Sequence, residues 1–136
     1  MEQYVHKVNY YETDKMGITH HSNYIRWMEE ARIDFLEKIG YSYDKLEEDG
    51  IISPVIAVEC QYKRVTTFGD RVGINVEIEE FKGVKLILKY TMKDIKTGEV
   101  VLIGKTKHCF VDEKNKPILL KKFFPEFDAK LKELAE

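Results

Sequence analysis

Residues 23–40 read NYIRWMEEARIDFLEKIG, and the pattern of apolar residues in this stretch indicates how the rest of the chain folds. Apolar residues recur there at spacings of four, three, four and four, which is one face of an α-helix. These residues are Tyr24, Met28, Ala31, Phe35 and Ile39. Because Trp27 and Leu36 widen the apolar stripe, the sequence predicts a largely buried helix from Asn23 to Ile39. Ser22 is the predicted N-cap, and Gly40 stands where a C′ glycine would end the helix.

Alternating apolar and polar residues on both sides of this helix predict β-strands. A Tyr- and Val-rich run from Tyr4 to Tyr11 is the first of them. After Pro54 the alternation continues through four further segments, which are residues 56–62, 72–78, 84–90 and 100–111. Turn signals at residues 68–70, 82–83 and 97–98 separate these segments and predict an antiparallel meander joined by hairpins. Short helices are predicted over residues 43–48 and 127–136.

The order of these elements predicts an α+β fold, in which a five-stranded antiparallel sheet curls around one long central helix. A sheet with one apolar face needs an apolar partner, and the helix at residues 23–39 supplies it. The chain has 136 residues and contains no internal repeat, low-complexity tract or linker-like stretch. We therefore expect residues 1–136 to form a single domain.

The charge and the cysteine content predict a cytoplasmic protein that does not bind nucleic acid, and the hydropathy predicts no membrane span. The 22 basic and 24 acidic residues give a net charge of −2, so the chain has no long-range field for nucleic acid. No apolar run is long enough to span a bilayer, and the N-terminus has no secretory signal. Cys60 and Cys109 lie far apart without metal or disulfide spacing, which favours a reducing compartment. Cys60 stands on the apolar phase of its strand and is expected in the core.

Residues 10–24, YYETDKMGITHHSNY, carry the chemical signal. Asp14 stands on a loop just before the predicted helix, whose first-turn N–H groups carry the positive end of the helix dipole. A carboxylate beside free amides can attack a polarised carbonyl or activate a water for that attack. Gly17 would let the backbone turn tightly between the carboxylate and the amides. These features alone form a weak motif, because an aspartate before a helix is commonly a cap.

The same segment resembles the active-site segment of the 4-hydroxybenzoyl-CoA thioesterase family. The resemblance rests on Glu12–Asp14 with Gly17, on His21–Tyr24, and on the continuation from Trp27 to Arg32. It is nearest to the bacterial branch of short acyl-CoA thioesterases associated with the Tol-Pal system. Residues 62–64 followed by residues 68–70 are similar to the family's second signature, and the order of elements fits over nearly the whole chain.

The resemblance implies a hotdog fold, dimers that pair into tetramers, and thioester hydrolysis without a metal or another cofactor. Asp14 would be the catalytic aspartate, and His21 a histidine near the thioester. The backbone amides of Ser22, Asn23 and Tyr24 would polarise the carbonyl.

The resemblance also implies that Arg64, together with Lys63, binds coenzyme A. Relatives often have Arg-Pro-x-Arg here, with a second arginine three residues beyond the first, but this chain has Val65-Thr66-Thr67 after Arg64, so one arginine remains for a CoA phosphate. His20 also departs from the family pattern. The resemblance further implies that residues near Ser53 to Val58 of one subunit complete the site of its neighbour.

The predicted reaction is hydrolysis of an acyl-CoA thioester, with Asp14 acting as nucleophile or as general base. Two other functions stay open, which are an acyl-CoA hydratase and a non-catalytic module that binds acyl-CoA or lipid. A metal cluster of Glu12, Asp14, His20 and His21 is a weaker alternative, because adjacent histidines rarely converge on one ion. A nucleophilic pair of Cys109 and His108 fails, since neighbours on a strand point to opposite faces.

Overall fold

The computed structural model of the protein describes residues 2–136 and contains five strands and four α-helices within them. The strands are β1 (Tyr4–Lys7), β2 (Val55–Tyr62), β3 (Arg71–Lys82), β4 (Lys85–Asp94) and β5 (Val100–Cys109). The helices are α1 (Ser22–Lys38), α2 (Tyr43–Glu48), α3 (Leu120–Phe123) and α4 (Pro125–Ala135). The predicted α+β class with a five-stranded antiparallel sheet is confirmed.

The sheet has the strand order β1-β3-β4-β5-β2, which differs from the predicted meander. Strands β3, β4 and β5 do follow one another, with tight turns at Gly83 and Gly98, where φ is +69° and +76°. Strand β2 pairs with β5 and forms one edge of the sheet, so the predicted hairpin between β2 and β3 is wrong. The place beside β3 is taken by β1, which runs antiparallel to it with Tyr4 opposite Ile74.

Backbone hydrogen bonds explain why residues 63–70 cross over instead of reversing the chain. The amide of Lys63 donates to the carbonyl of Val101, and the carbonyl of Thr66 accepts from the amide of Thr19, both at 2.9 Å. The expected turn at residues 68–70 forms, with φ of +89° at Gly69. It brings the Asp70 carbonyl within 2.8 Å of the Val8 amide, so the turn leads the chain along β1.

Two predicted boundaries near the N-terminus were wrong. The first strand ends at Lys7, and residues Tyr10–Glu12 form a 3-10 helix instead of continuing the strand. Helix α1 begins at Ser22, which is therefore a helical residue and not the N-cap. The other end of the helix follows the prediction: Gly40 has φ of +94°, and the amide of Tyr41 donates to the carbonyl of Leu36 at 2.9 Å. This is the hydrogen-bond pattern of a Schellman C-cap.

The structure divides into two compact units, each with its own buried apolar cluster. The first unit contains Met1–Phe35, Cys60–Val76 and Tyr90–Gly104. Its buried apolar residues include Val8, Tyr24, Trp27, Met28, Ala31, Val72, Ile74, Tyr90, Met92 and Leu102. The predicted site residues all belong to this unit, apart from the segment Ser53–Val58.

The second unit contains Leu36–Glu59, Glu77–Lys89 and Lys105–Glu136. Its buried apolar residues include Leu46, Ile51, Leu86, Leu88, Phe110, Leu120, Phe127 and Leu131. That residues 1–136 form one domain stays a prediction. Within residues 2–136, no helix has both the length and the apolar character that crossing a bilayer requires.

Strand β2 differs from the other long strands because most of its residues are exposed on both faces. Its apolar side chains Val55, Ile56 and Val58 are 46%, 52% and 40% exposed. Cys60, which the alternation assigned to the core, is only half-buried for the same reason. Burial therefore does not follow the apolar phase in this edge strand.

Candidate active site

The loop that carries Asp14 is closed by backbone hydrogen bonds at its two ends. Thr13 and Thr19 form an isolated antiparallel bridge, and the amide of Asp14 donates to the carbonyl of Ile18 at 2.9 Å. At the tip, the amide of Gly17 donates to the carbonyl of Asp14 at 2.9 Å. Gly17 has φ of +79°, a conformation that a side chain would strain. The predicted tight turn at Gly17 is confirmed.

The Asp14 carboxylate is half-buried, and its two oxygens differ in their contacts. Oδ1 accepts a hydrogen bond from the amide of Met16 at 2.8 Å, which fixes the direction of the side chain. Within residues 2–136, no group donates a hydrogen bond to Oδ2. One oxygen is therefore anchored, while the other is available to a substrate or a water.

The amides at the start of α1 are not all available. The amides of Asn23 and Tyr24 donate to the carbonyls of His20 and His21, at 3.0 and 3.4 Å. The amide of Ser22 lies 3.2 Å from Nδ1 of His20 and donates to it. In the part of the chain that the structure describes, the amide of His21 donates to no acceptor. Of these four amides, the His21 amide is therefore the one without an acceptor within residues 2–136, and it lies one residue before the predicted set Ser22–Tyr24.

The two adjacent histidines have different surroundings. The His20 ring lies 2.8 Å from Ser22 Oγ through Nδ1, so it closes the start of α1 as a local cap. The His21 ring stacks on His20 at a centroid distance of 4.4 Å and meets Tyr62 edge-on at 6.3 Å. His20 is thus engaged with the helix start, while His21 faces an aromatic neighbour.

An open cleft of about 480 Å³ brings several predicted site residues together. It is lined by Thr19, His21, Tyr24, Tyr62, Lys63, Arg64, Val65 and Glu99. Asp14 is not among the lining residues, so the cleft unites the helix start with the basic pair but does not include the catalytic candidate. The rings of Tyr24 and Tyr62 both line the cleft, and their centroids are 5.7 Å apart. Burial raises the pKa of Tyr62, and Cys60 and Tyr24 raise it further, so its hydroxyl remains a donor at neutral pH.

The predicted coenzyme-binding pair, Lys63 and Arg64, lies at the exposed rim of this cleft. Arg64 Nε is 3.1 Å from Glu99 Oε2, and the side chains are 61% and 48% exposed. An ion pair this exposed is typically worth under about 1 kcal/mol. A phosphate group can therefore displace Glu99 at little cost.

A chain of three hydroxyl groups connects the Asp14 loop to the cleft. Thr66 is fully buried, and its Oγ1 lies 2.6 Å from Thr19 Oγ1 and 3.0 Å from the Tyr24 hydroxyl. Thr19 closes the Asp14 loop, and Tyr24 belongs to the first turn of α1. The segment after β2 thus holds the loop and the helix start in one arrangement.

Sequence reasoning missed that Glu12 is a buried carboxylate: it placed Glu12 in the segment that carries the family resemblance and in a possible metal cluster. Glu12 is 4% exposed, and its Oε2 accepts from Trp27 Nε1 at 2.6 Å. Its Oε1 accepts from the amide of Asn9 and lies near His6 Nε2, both at 2.8 Å. Burial raises the pKa of the Glu12 carboxyl, but these hydrogen bonds outweigh burial and hold the pKa below its usual range. The available signal was Trp27, because a buried indole N–H needs an acceptor.

Within residues 2–136, no three His, Cys, Asp or Glu side chains are placed to share a metal ion. Glu12 is occupied by its neighbours, so the alternative cluster with Asp14, His20 and His21 has no geometric support. Metal independence of the reaction stays a prediction.

The sheet, the long helix and the carboxylate loop before that helix define a protein of the hotdog class, and comparisons with known proteins agree. The chain belongs to the thioesterase-like superfamily, whose model matches residues 8–133. This membership confirms the predicted enzyme class, a thioester hydrolase.

Individual relatives cover most of the chain. A Bacillus subtilis (strain 168) protein named "Putative acyl-CoA thioesterase YneP" is 34% identical over 122 residues, which are 89% of this chain and 88% of that protein. The DHNA-CoA thioesterase of Staphylococcus aureus superposes with a TM-score of 0.92 at 32% identity, covering 97% of this chain and 89% of that one. The gentisyl-coenzyme A thioesterase BH1999 gives a TM-score of 0.77 at 31% identity, covering 83% and 90%.

Proposed function

We propose that this chain hydrolyses an acyl-CoA thioester to a free carboxylate and CoA, with Asp14 as the catalytic carboxylate. The observation that supports this most directly is the asymmetry of Asp14. Oδ1 is fixed by the Met16 amide, and Oδ2 has no donor within residues 2–136. A carboxylate held in one direction with one oxygen exposed to substrate is what attack on a thioester carbonyl requires.

The carbonyl oxygen of the thioester needs a donor that strengthens as negative charge develops on it. We assign this role to the His21 amide, which stands at the positive end of the α1 dipole without an acceptor among the described residues. The amides of Ser22, Asn23 and Tyr24 support it indirectly by ordering the helix start. The ring of His21 faces the cleft and would orient the thioester beside this donor.

Two routes are consistent with this arrangement. In the first, Asp14 Oδ2 bonds to the carbonyl carbon, the C–S bond breaks, CoA leaves as the thiolate, and water hydrolyses the mixed anhydride. In the second, Asp14 takes a proton from a water that attacks the carbonyl directly, and CoA leaves in the same way. A single turnover in ¹⁸O-water separates them. In the first route, water that attacks the aspartyl carbonyl of the anhydride places the label in Asp14, whereas the second route places it only in the carboxylate product, so label in Asp14 identifies the first route.

The coenzyme would lie along the cleft rim, with its phosphates at Lys63 and Arg64. Both residues are exposed and line the cleft, and the weak pairing of Arg64 with Glu99 leaves the guanidinium accessible. The aromatic surface of Tyr24 and Tyr62 would face the substrate between the phosphates and the thioester. Two of the proteins named above are named for DHNA-CoA and for gentisyl-coenzyme A, and the gentisyl group is aromatic. Aromatic acyl groups therefore belong in any substrate panel for this chain.

Assembly into a homodimer or homotetramer is part of the proposal. Strand β2 is an edge of the sheet and exposes apolar side chains, and such edges tend to pair with another chain. The segment Ser53–Val58 would then approach the Asp14 site of the neighbouring subunit and complete its wall. We also propose a cytoplasmic location and membership of the Tol-Pal-associated branch, which the motif around Asp14 and His21 supports.

Thiol release from a panel of aliphatic and aromatic acyl-CoAs tests this function against its two alternatives. A thioesterase releases free CoA with at least one substrate. A hydratase would instead change the absorbance of an α,β-unsaturated acyl-CoA without releasing thiol. A non-catalytic module would bind the same compounds and do neither, so either of these results would overturn the proposed function.

A further inference from the structure

We infer that Glu12 is a positioning residue, which holds the Asp14 loop against the start of α1 so that Asp14 meets the thioester. This inference rests on the proposed function of Asp14. Glu12 stands two residues before Asp14 and is 4% exposed. Its side chain and its backbone carbonyl each connect separate parts of the site.

The carboxylate of Glu12 connects three elements. It accepts from Trp27 Nε1 in α1 at 2.6 Å and from the Asn9 amide at the start of the 3-10 helix at 2.8 Å. Its Oε1 also lies 2.8 Å from His6 Nε2 in β1. The His6 ring packs on the Trp27 indole at a centroid distance of 4.4 Å, so the partners also contact each other. The end of the 3-10 helix is thereby fixed relative to both β1 and α1.

The backbone carbonyl of Glu12 connects the two sides of the Asp14 loop. It accepts from the amide of His20 and from Asn23 Nδ2, both at 2.9 Å. Asn23 is buried, so its side-chain donor has little competition from water. Displacing Glu12 would release both sides of the loop together, which moves the Asp14 carboxylate relative to the His21 amide.

The chemistry of these contacts requires a carboxylate. The Asn9 and Trp27 groups are N–H donors, and an ionised carboxylate is a side chain with two acceptor oxygens and no donor. A glutamine of the same shape would turn one N–H₂ group towards a donor, and a buried unmatched polar group is costly. Glu12→Gln is therefore a close mimic in shape that breaks the contacts.

The matched control is Asp128→Asn, which also neutralises a buried carboxylate. Asp128 is 3% exposed on α4, and its Oδ2 pairs with Lys132 Nζ at 2.8 Å. Neither this ion pair nor the hydrogen bond from the Asp128 amide to the Phe124 carbonyl involves a residue of the candidate site. Activity loss that comes from general destabilisation would therefore affect both variants.

The experiment measures amide hydrogen exchange of residues 13–21 by mass spectrometry, together with kcat and KM, at a temperature where both variants are folded. In Glu12→Gln, exchange of this segment should accelerate by at least about tenfold, because its opening free energy falls. Its kcat should fall by at least about tenfold with KM changed by less than about threefold, since a displaced group costs rate more than binding. Asp128→Asn should leave both measurements near wild type. If Glu12→Gln does not fold, Trp27→Phe removes one of the same hydrogen bonds and should shift both measurements in the same direction.

Two results would overturn the inference. One is unchanged exchange and kcat in Glu12→Gln, and the other is an equal loss of kcat in Asp128→Asn at equal stability. Absence of thiol release by the wild-type chain is a different result, which refutes the proposed function. Unchanged exchange of residues 13–21 in Glu12→Gln would in that case still refute the positioning role of Glu12.

Discussion

Replacing Trp27 with phenylalanine removes one N–H donor from a carboxylate that is almost completely buried. Trp27 is 0% exposed, and its indole donates to Glu12 Oε2 at 2.6 Å. A hydrogen bond to a charged group contributes about 1.5–3 kcal/mol. The smaller ring adds a cavity term of about 1 kcal/mol. We expect a loss of about 2.5–4 kcal/mol in the free energy of unfolding, which lowers Tm by roughly 8–16 °C for a chain of this length that unfolds in one step.

Urea unfolding at pH 7 of four proteins isolates the hydrogen bond from the cavity. The set is wild type, Trp27→Phe, Glu12→Met, which has no oxygen acceptor, and the double variant. If the carboxylate is the partner, Trp27→Phe should cost only the ring term of about 1 kcal/mol in the Glu12→Met background. A cost that is equal in both backgrounds within about 0.5 kcal/mol would refute the assigned contact.

The same contact predicts a pH dependence. The pKa of Glu12 is lower in the folded protein, because the hydrogen bonds from Asn9, Trp27 and His6 outweigh burial. A carboxyl with a lowered pKa stabilises the fold above its unfolded pKa, about 4.3, and this stabilisation is lost as the pH falls through the folded value. The stability gap between wild type and Trp27→Phe should therefore be largest at pH 7 and shrink below about pH 4. If the stability difference between wild type and Trp27→Phe grew at acid pH, the direction of the Glu12 pKa shift would be wrong.

Three further predictions concern the proposed enzyme. Incubation with a strong chelator should leave thioester hydrolysis unchanged. Activity that is lost with the chelator and restored by Zn²⁺ or Mn²⁺ would instead show that the reaction depends on a metal ion. Sedimentation velocity at micromolar concentration should show two or four times the monomer mass, and an active monomer would exclude a site completed by a neighbour's Ser53–Val58. Arg64→Ala combined with Lys63→Ala should raise KM for acyl-CoA about tenfold, the effect of losing roughly 1.4 kcal/mol of phosphate binding, with little change in kcat. An unchanged KM would show that the coenzyme phosphates do not bind at Lys63 and Arg64.

Local sequence patterns predicted most of the elements. The spacing from Tyr24 to Ile39 gave α1 to within one residue at each end, and Gly40 marked its end correctly. The glycines at positions 83 and 98 marked the two hairpins, because both need positive φ. Such signals succeed when the residues that form a contact are near one another in the chain.

The partner of β2 could not be predicted in this way. Its alternation resembles that of β3, and a turn at residues 68–70 separates the two strands, so a hairpin was the simplest prediction. The structure instead pairs β2 with β5, because residues 63–67 are held by Val101 and Thr19 through long-range hydrogen bonds. Pairings between distant segments leave little trace in local periodicity.

In the candidate site, too, local features were predicted from the sequence, and features that depend on distant segments were not. The tight turn at Gly17 was predicted correctly, since turn chemistry is local, while the roles of Asp14 and of the pair Lys63 and Arg64 stay predictions. The start of α1 lies one residue earlier than predicted, and the amides of Ser22, Asn23 and Tyr24 have acceptors at this helix start; their role as donors to a substrate stays a prediction. Glu12 was missed because burial of a carboxylate depends on donors from β1 and α1 that only folding brings together.

Measuring kcat for Asp14→Asn tests the central claim most directly. Asparagine has the same shape and retains the Oδ1 acceptor for the Met16 amide, so the loop should keep its conformation. It lacks the charged oxygen that either attacks the thioester or activates water. With an unchanged circular dichroism spectrum and Tm, we predict that thiol release falls by several orders of magnitude. A variant that keeps more than about a tenth of the wild-type kcat, a barrier change under about 1.4 kcal/mol, would contradict the assignment of Asp14 as the catalytic carboxylate.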